Sequence, residues 1–416
     1  MWNRGKWSFF PPRHLGKGFP KPCIPLWLGL KLRMRSRWQF AGWAILAAVF
    51  AGMSLYLILN PTRTGVVPNY RFASTHWWLG QSMYPGGTHG FLYVPQFAVL
   101  FSLIDWIQPP VLGEIVWRGL GFGLFAWALW KVGNLFSHPH GRLGITAPTF
   151  AYLVLLAVPA SLASLNNGQT NLPLSAVLVF LCLALREERW NLGAALLTIA
   201  LILKPISVAP WLLVFAVFSQ MRIPLLAGVL VMGLVGFVHP SPSYAWGQWM
   251  EFWAKLNHSY TPENLRVSDM FGMLEKMGFP NPLAFNSLTR MAAAGSALLF
   301  VGWRYRRGGC IGGSWGLWVV TALIWTIFNP RAETNSYVLI SPLLAFVALG
   351  HLLGSEADRW KGWVLVVACL GLMCDGMGKP IYLATDVWFK PLIVLLVSPL
   401  LVRMPGSWRL VRDNRP

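Results

Sequence analysis

The sequence predicts an all-α, polytopic membrane protein of about twelve transmembrane helices with a long first outer loop. Three observations carry that prediction. The 416 residues are 55% hydrophobic and only 12% charged, with a mean hydropathy of +0.51, which no soluble domain of ordinary composition reaches. Apolar runs recur from Trp38 to Arg403, separated by short polar or basic segments. The formal net charge is +20, from 34 Lys and Arg against 14 Asp and Glu, and the basic excess sits in those short segments. That distribution is how charge sets membrane topology, so nucleic acid is not expected as a partner.

Taken in order, residues 1–37 are a basic cytoplasmic tail or interfacial segment with no acid. Met34, followed by Arg35, Arg37 and an apolar run, offers a second start site. The run Trp38 to Leu59 crosses a hydrocarbon core of about 30 Å at about 1.5 Å per residue. Residues 60–96 then form a loop far longer than two spans need, and its Trp and Tyr content predicts order at the interface. Further spans are expected near 112–135, 145–166, 170–186, 190–204, 206–219, 222–239, 285–303, 314–329, 336–353, 361–376 and 387–403, with 404–416 a basic cytoplasmic tail. Residues 38–403 thus form one transmembrane domain.

Segment 91–107 decides the orientation. If it does not cross, Arg142, Arg186, Arg189, Arg222, Arg304, Arg306, Arg307, Arg359 and Lys361 all face the cytoplasm with both termini, in a plasma (inner) membrane. The first loop, residues 166–171, Lys204-Pro205, the segment 240–284 and residues 329–335 then share the outer face. One-sided polar clustering suits an enzyme with an external site; a transporter needs such groups near the midplane. The five cysteines show neither a disulfide framework nor a zinc spacing. No acidic ligand stands at helical spacing from His76, His89 or His258, so no metal site is proposed. The helical segment Trp246 to Trp253 is expected to lie in the interface.

The spacing Tyr70, Ala73, Gly80, Tyr84 and Tyr93-Val94-Pro95, then Gly168-Gln169-Thr170-Asn171, Gly193 with Lys204-Pro205, and Asn329-Pro330-Arg331-Ala332-Glu333-Thr334-Asn335-Ser336-Tyr337 resembles glycosyltransferase family 87 over roughly residues 38–353. The resemblance implies a GT-C-like enzyme that takes a sugar, often mannose, from a polyprenyl-phosphate carrier to a lipid or glycan acceptor outside. It needs no cofactor beyond that donor substrate. It also implies an Asp some fourteen residues before Gly80, as general base. Here Val66 stands there, and no Asp or Glu precedes Asp105.

Another acid must therefore remove the acceptor proton, a step worth about 10²- to 10⁴-fold. Glu333, flanked by Arg331, Asn329 and Asn335, is the first candidate, or else a partner of Arg331. Asp269 is the second, or else an N-cap for the run from Met270 to Leu274. Lys204, beside the helix-breaking Pro205, with Arg331 and Arg71, supplies cations for a phosphate. Gln169, Asn171, Asn335 and Tyr70 offer hydrogen bonds to a sugar. Arg118 and Glu114, four apart, are expected to pair. A lipid-linked-sugar flippase and a non-catalytic accessory protein are the other readings.

Overall fold

The computed structural model describes residues 26–63, 65–137, 149–259, 267–279 and 283–409. Residues 1–25 of the basic tail, 410–416, Arg142, Tyr260 and Arg266 lie outside these. Among the described residues every regular element is helical: α1 (Leu26–Leu59), α2 (Val67–Trp78), α3 (Pro95–Asp105), α4 (Pro110–Gly133), α5 (Thr149–Ala157), α6 (Leu162–Asn167), α7 (Asn171–Arg186), α8 (Trp190–Leu203), α9 (Val208–Val217), α10 (Arg222–Val235), α11 (Pro242–His258), α12 (Met270–Lys276), α13 (Leu283–Ile327), α14 (Ser341–Leu352), α15 (Arg359–Gly371), α16 (Lys379–Thr385), α17 (Phe389–Leu401) and α18 (Gly406–Arg409).

Four described helical segments are long and apolar enough to cross a membrane, or up to six if each of two bent pairs is one span. By length and composition alone these fall short of the expected twelve. The physical reason is length: α7, α8 and α14 have 16, 14 and 12 residues, which at about 1.5 Å per residue fall short of a core about 30 Å thick. They read as spans because they are apolar all round, and for α7 and α14 the structure gives that composition another cause. In α7 every residue but Phe180 is buried, and in α14 only Gly350 and Leu352 are not. Helices buried on all faces lose the polar stripe that would mark them as internal.

Two breaks shape the bundle. The links between α9 and α10 and between α16 and α17 bend by 116° and 63°. Within α13, Gly309 takes φ 57° and ψ −149°, a region open essentially to glycine, and the helix turns back on itself. Arg290 Nε, near the start of α13, donates to Phe328 O just past its end, at 3.0 Å, so the two arms run antiparallel. These arms match the runs 285–303 and 314–329, split by the Arg304–Gly309 turn.

α7 organises the rest, with Asn171 at one end and Arg186 at the other. At the Arg186 end, Arg186 donates to Trp408 O, and Trp408 packs on Trp315, Trp318 and Phe346, so the buried core reaches into the segment read as a C-terminal tail. At the Asn171 end lie α2 and α3, joined by Ser74, Trp78 and Ser102 hydroxyl and indole bonds, and the amphipathic α11. α11 buries Ala245, Gln248, Phe252 and Lys255 and exposes Trp246, Met250 and Trp253.

Candidate active site

The site begins with a turn that has to be glycine. Gly168 closes α6 at φ 63°, and a Cβ there would meet Val67 Cγ2 at 2.6 Å and Arg118 at 3.1 Å. Arg118 reinforces the turn, donating to Leu165 O at 3.1 Å and Asn166 O at 3.0 Å while paired with Glu114 at 2.8 Å. Trp117 Nε1 adds a bond to Gly168 O at 2.8 Å. The following residues, Gln169 and Asn171, are thereby aimed at the 3₁₀ turn Thr334–Leu339.

That second turn is held from several sides. Glu333 and Ser336 form a reciprocal capping box at its start. Ser164 Oγ donates to Asn335 O at 2.6 Å, Lys390 Nζ to Thr334 O at 2.9 Å, and Tyr337 Oη to Ser268 O at 2.8 Å. Between the two turns runs one network. Gln169 Nε2 and Asn335 Nδ2 donate to the same oxygen, Glu333 Oε2, at 3.0 and 2.9 Å. Asn171 Nδ2 donates to Gln169 Oε1 at 2.6 Å and to Asn335 Oδ1 at 3.3 Å. Lys204 Nζ, in the extended link after α8, donates to Asn171 Oδ1 at 2.7 Å.

Of the predicted site residues, Glu333, Gln169, Asn171, Asn335 and Lys204 therefore come together. Arg331 adjoins them: its Nη1 donates to Ser259 O at 2.6 Å and Thr88 O at 3.3 Å. Burial pushes the Lys204 ammonium down to about 8; Glu333 opposes that shift and Arg331 adds to it. Tyr70 is buried among Tyr93, Phe97, Phe101 and Trp117 and reaches toward the network only through its hydroxyl, 2.9 Å from Tyr93 Oη. Tyr93 Oη in turn lies 3.5 Å from Thr170 Oγ1.

Two predicted residues stand apart. Arg71 pairs with Asp105 at 3.4 Å, donates to Pro110 O at 2.6 Å and faces a separate cavity of about 460 Å3 walled by Pro61, Pro68 and Pro109. Asp269 caps α12, one oxygen accepting from Gly272 N–H at 2.8 Å and the other from Arg290 at 2.9 Å. Burial raises its carboxyl, against the pull of Gly272 and Arg290. Both of its oxygens are thus engaged in holding α12 to α13.

The sequence reading missed Lys255. Its Nζ donates to Pro85 O at 2.6 Å and Gly87 O at 2.7 Å. Its signal is position: it falls on the buried stripe of α11 with Gln248 and Phe252, where a lysine on a merely amphipathic helix would face outward.

The model of glycosyltransferase family 87 matches residues 91–310, more than half of the chain. The chain belongs to glycosyltransferase family 87. No curated protein matches it. The family-87 match takes in Gln169, Asn171, Lys204 and Lys255 and ends before Arg331, Glu333 and Asn335. Glycosyl transfer is the chemistry implied by the family; the place of Glu333 in it rests on the geometry of the network. Within that geometry a carboxylate offers about four acceptor directions. Gln169, Asn335 and the capping-box N–H of Ser336 take three, which leaves room for one more donor at a fixed orientation.

Proposed function

We propose that this family-87 chain moves a hexose, mannose on the family resemblance, from a polyprenyl-phosphate carrier to a lipid or glycan acceptor on the outer face of the plasma (inner) membrane. Both termini are then cytoplasmic. The observation that carries the reading is the meeting of one oriented carboxylate, Glu333, with the cation Lys204 and the amides Gln169, Asn171 and Asn335, beside Arg331. In the reaction an acceptor hydroxyl oxygen attacks the sugar C1. Its proton passes to Glu333, the C1–O bond to phosphate breaks, and the leaving phosphate keeps the electron pair. Lys204 and Arg331 stabilise that charge where the dielectric is low.

A lipid donor finds support next to Lys204. A cavity of about 130 Å3 between α3, α4 and α8 is lined by Phe97, Leu100, Phe101, Trp117, Ile199, Ile202 and Leu203, all apolar, and Leu203 is the residue before Lys204. In this reading the isoprene units next to the phosphate sit there, one residue along the chain from Lys204. Lys204→Ala and Arg331→Ala should each lower donor use at least tenfold at unchanged protein levels in the membrane. Unchanged transfer in both variants would remove them from the site. The capping box that Glu333 makes with Ser336 favours a second reading, an accessory protein in which this carboxylate only builds the turn.

A further inference from the structure

Lys390 occupies a place that is costly for a cation. It is the second residue of α17, where the helix dipole opposes positive charge, and its side chain is only 1% exposed. Asp375 Oδ2, in the short turn Cys374–Gly376, faces the ammonium at 2.8 Å. The same ammonium donates to Thr334 O at 2.9 Å and stands 5.9 Å from the centre of the Tyr337 ring. Docking α17 does not require this lysine, because the helix already buries Val394, Val397 and Leu401 in the core. We propose that Lys390 is a positioning residue for Glu333: it fixes the carbonyl of Thr334 and, through that peptide, the orientation of the carboxylate.

The Thr334 carbonyl belongs to the peptide that separates two side chains of the network. Glu333 precedes Thr334, Asn335 follows it, and Asn335 Nδ2 donates to Glu333 Oε2 at 2.9 Å. The next carbonyl, Asn335 O, is held by Ser164 Oγ at 2.6 Å. Rotation of either peptide would carry Asn335 away from Glu333 and open the capping box, in which Glu333 N–H donates to Ser336 Oγ at 3.1 Å. The link that delivers Lys390 is itself pinned. Val387 takes φ 75°, a strained value for a β-branched residue, and its carbonyl accepts from Ser268 Oγ at 3.2 Å. Ser268 N–H donates to Ala332 O at 2.6 Å, and Ser268 O accepts from Tyr337 Oη at 2.8 Å. The start of α17 is thereby tied to residues 332, 334 and 337, on both sides of Glu333. A base tolerates little displacement, since a shift of about 1 Å can cost about 10²-fold in rate. The inference rests on the transferase reading, because it gives Lys390 a part in the same step.

The test removes the tie without leaving a buried charge unpaired. Lys390→Gln with Asp375→Asn puts two neutral amides there, and Lys390→Met with Asp375→Leu makes both positions apolar and serves if the first variant does not accumulate. Full-length protein in native membranes is given a polyprenyl-phosphate mannose labelled in the sugar. The variant should lower kcat by about tenfold or more and leave the donor KM within about twofold, because the bound donor is unaffected and only the base is misplaced. In a Glu333→Gln background the same pair of changes should lower kcat by less than about twofold, since residues that act through one group are not additive. Hydrogen exchange supplies a readout that needs no activity: the amides of residues 335–337 should exchange about tenfold faster or more in the variant, with those of α7 unchanged. A kcat within about twofold of wild type, or unchanged exchange at 335–337, would overturn the positioning role. An equal fall in kcat in both backgrounds would assign Lys390 to general stability and overturn it as well. Absence of transfer by wild type, with exchange at 335–337 faster in the variant, would sink the transferase reading while leaving Lys390 as the residue that sets the Glu333 turn.

Discussion

Gln169 and Asn335 both donate to one oxygen of Glu333, so replacing that oxygen's chemistry while keeping its shape is the informative change. Glu333→Gln removes a proton acceptor and should lower turnover by about 10² or more if the carboxylate is the base. A turnover within a few fold of wild type, with a lower melting temperature, would confine Glu333 to capping its turn. Lys204 gives a pH signature. Its ammonium is pushed down to about 8, below the ordinary lysine value, so the unliganded site loses its cation as pH rises through 8. Donor affinity should therefore be full below about pH 7 and fall above pH 8, and Lys204→Arg should flatten that fall because a guanidinium stays charged. A profile that keeps its break in Lys204→Arg would assign it to another group. For Asp269, with both oxygens engaged, Asp269→Asn breaks a buried pair and weakens a cap; it should destabilise by about 2–4 kcal/mol and change donor affinity little. A lost affinity at unchanged stability would return Asp269 to the site.

The elements that make this geometry possible are mostly turns. Gly168→Ala forces a side chain against Val67 and Arg118 at a φ that favours glycine, which should shift Gln169 and Asn171 and cost activity well before the bundle unfolds. Gly309→Ala acts at the bend within α13, where φ 57° with ψ −149° costs about 1–3 kcal/mol for a residue with a side chain. It should lower the melting temperature in detergent and leave donor affinity alone; an unchanged melting temperature would mean the arms do not need that turn. The fold-back at Gly309 was legible in the sequence because four charged or glycine residues, Arg306 to Gly309, interrupt two apolar runs. The shortness of α7, α8 and α14 was not legible. Their ends pass into short turns, 3₁₀ after α8 and before α14, and an all-apolar run looks the same whether lipid or protein surrounds it.

Across the whole molecule, the site joins pieces that are far apart in sequence. Gln169 and Glu333 are 164 residues apart, Lys255 and Pro85 are 170 apart, and Arg331 and Thr88 are 243 apart. Residue type and flanking turns marked the partners Gln169, Asn171, Lys204, Glu333 and Asn335 and offered the capping role of Asp269, yet only the fold shows that Arg71 is paired with Asp105 and Asp269 with Arg290. The basic residues Arg186, Arg304, Arg306 and Arg307 lie at the end of α7 and the turn of α13 opposite the network. A cytoplasm-active reporter fused after Arg189 or Arg307 should therefore be active, and one fused within 240–284 silent; the reverse pattern would put the site inside. The most direct test of the central claim is to incubate membranes containing the protein with a polyprenyl-phosphate sugar labelled in the sugar and to follow the label. Transfer into a lipid or glycan product by wild type, reduced about 10²-fold or more by Glu333→Gln at equal protein level, is the predicted result. No transfer above protein-free membranes, or equal transfer by the two proteins, would contradict the account.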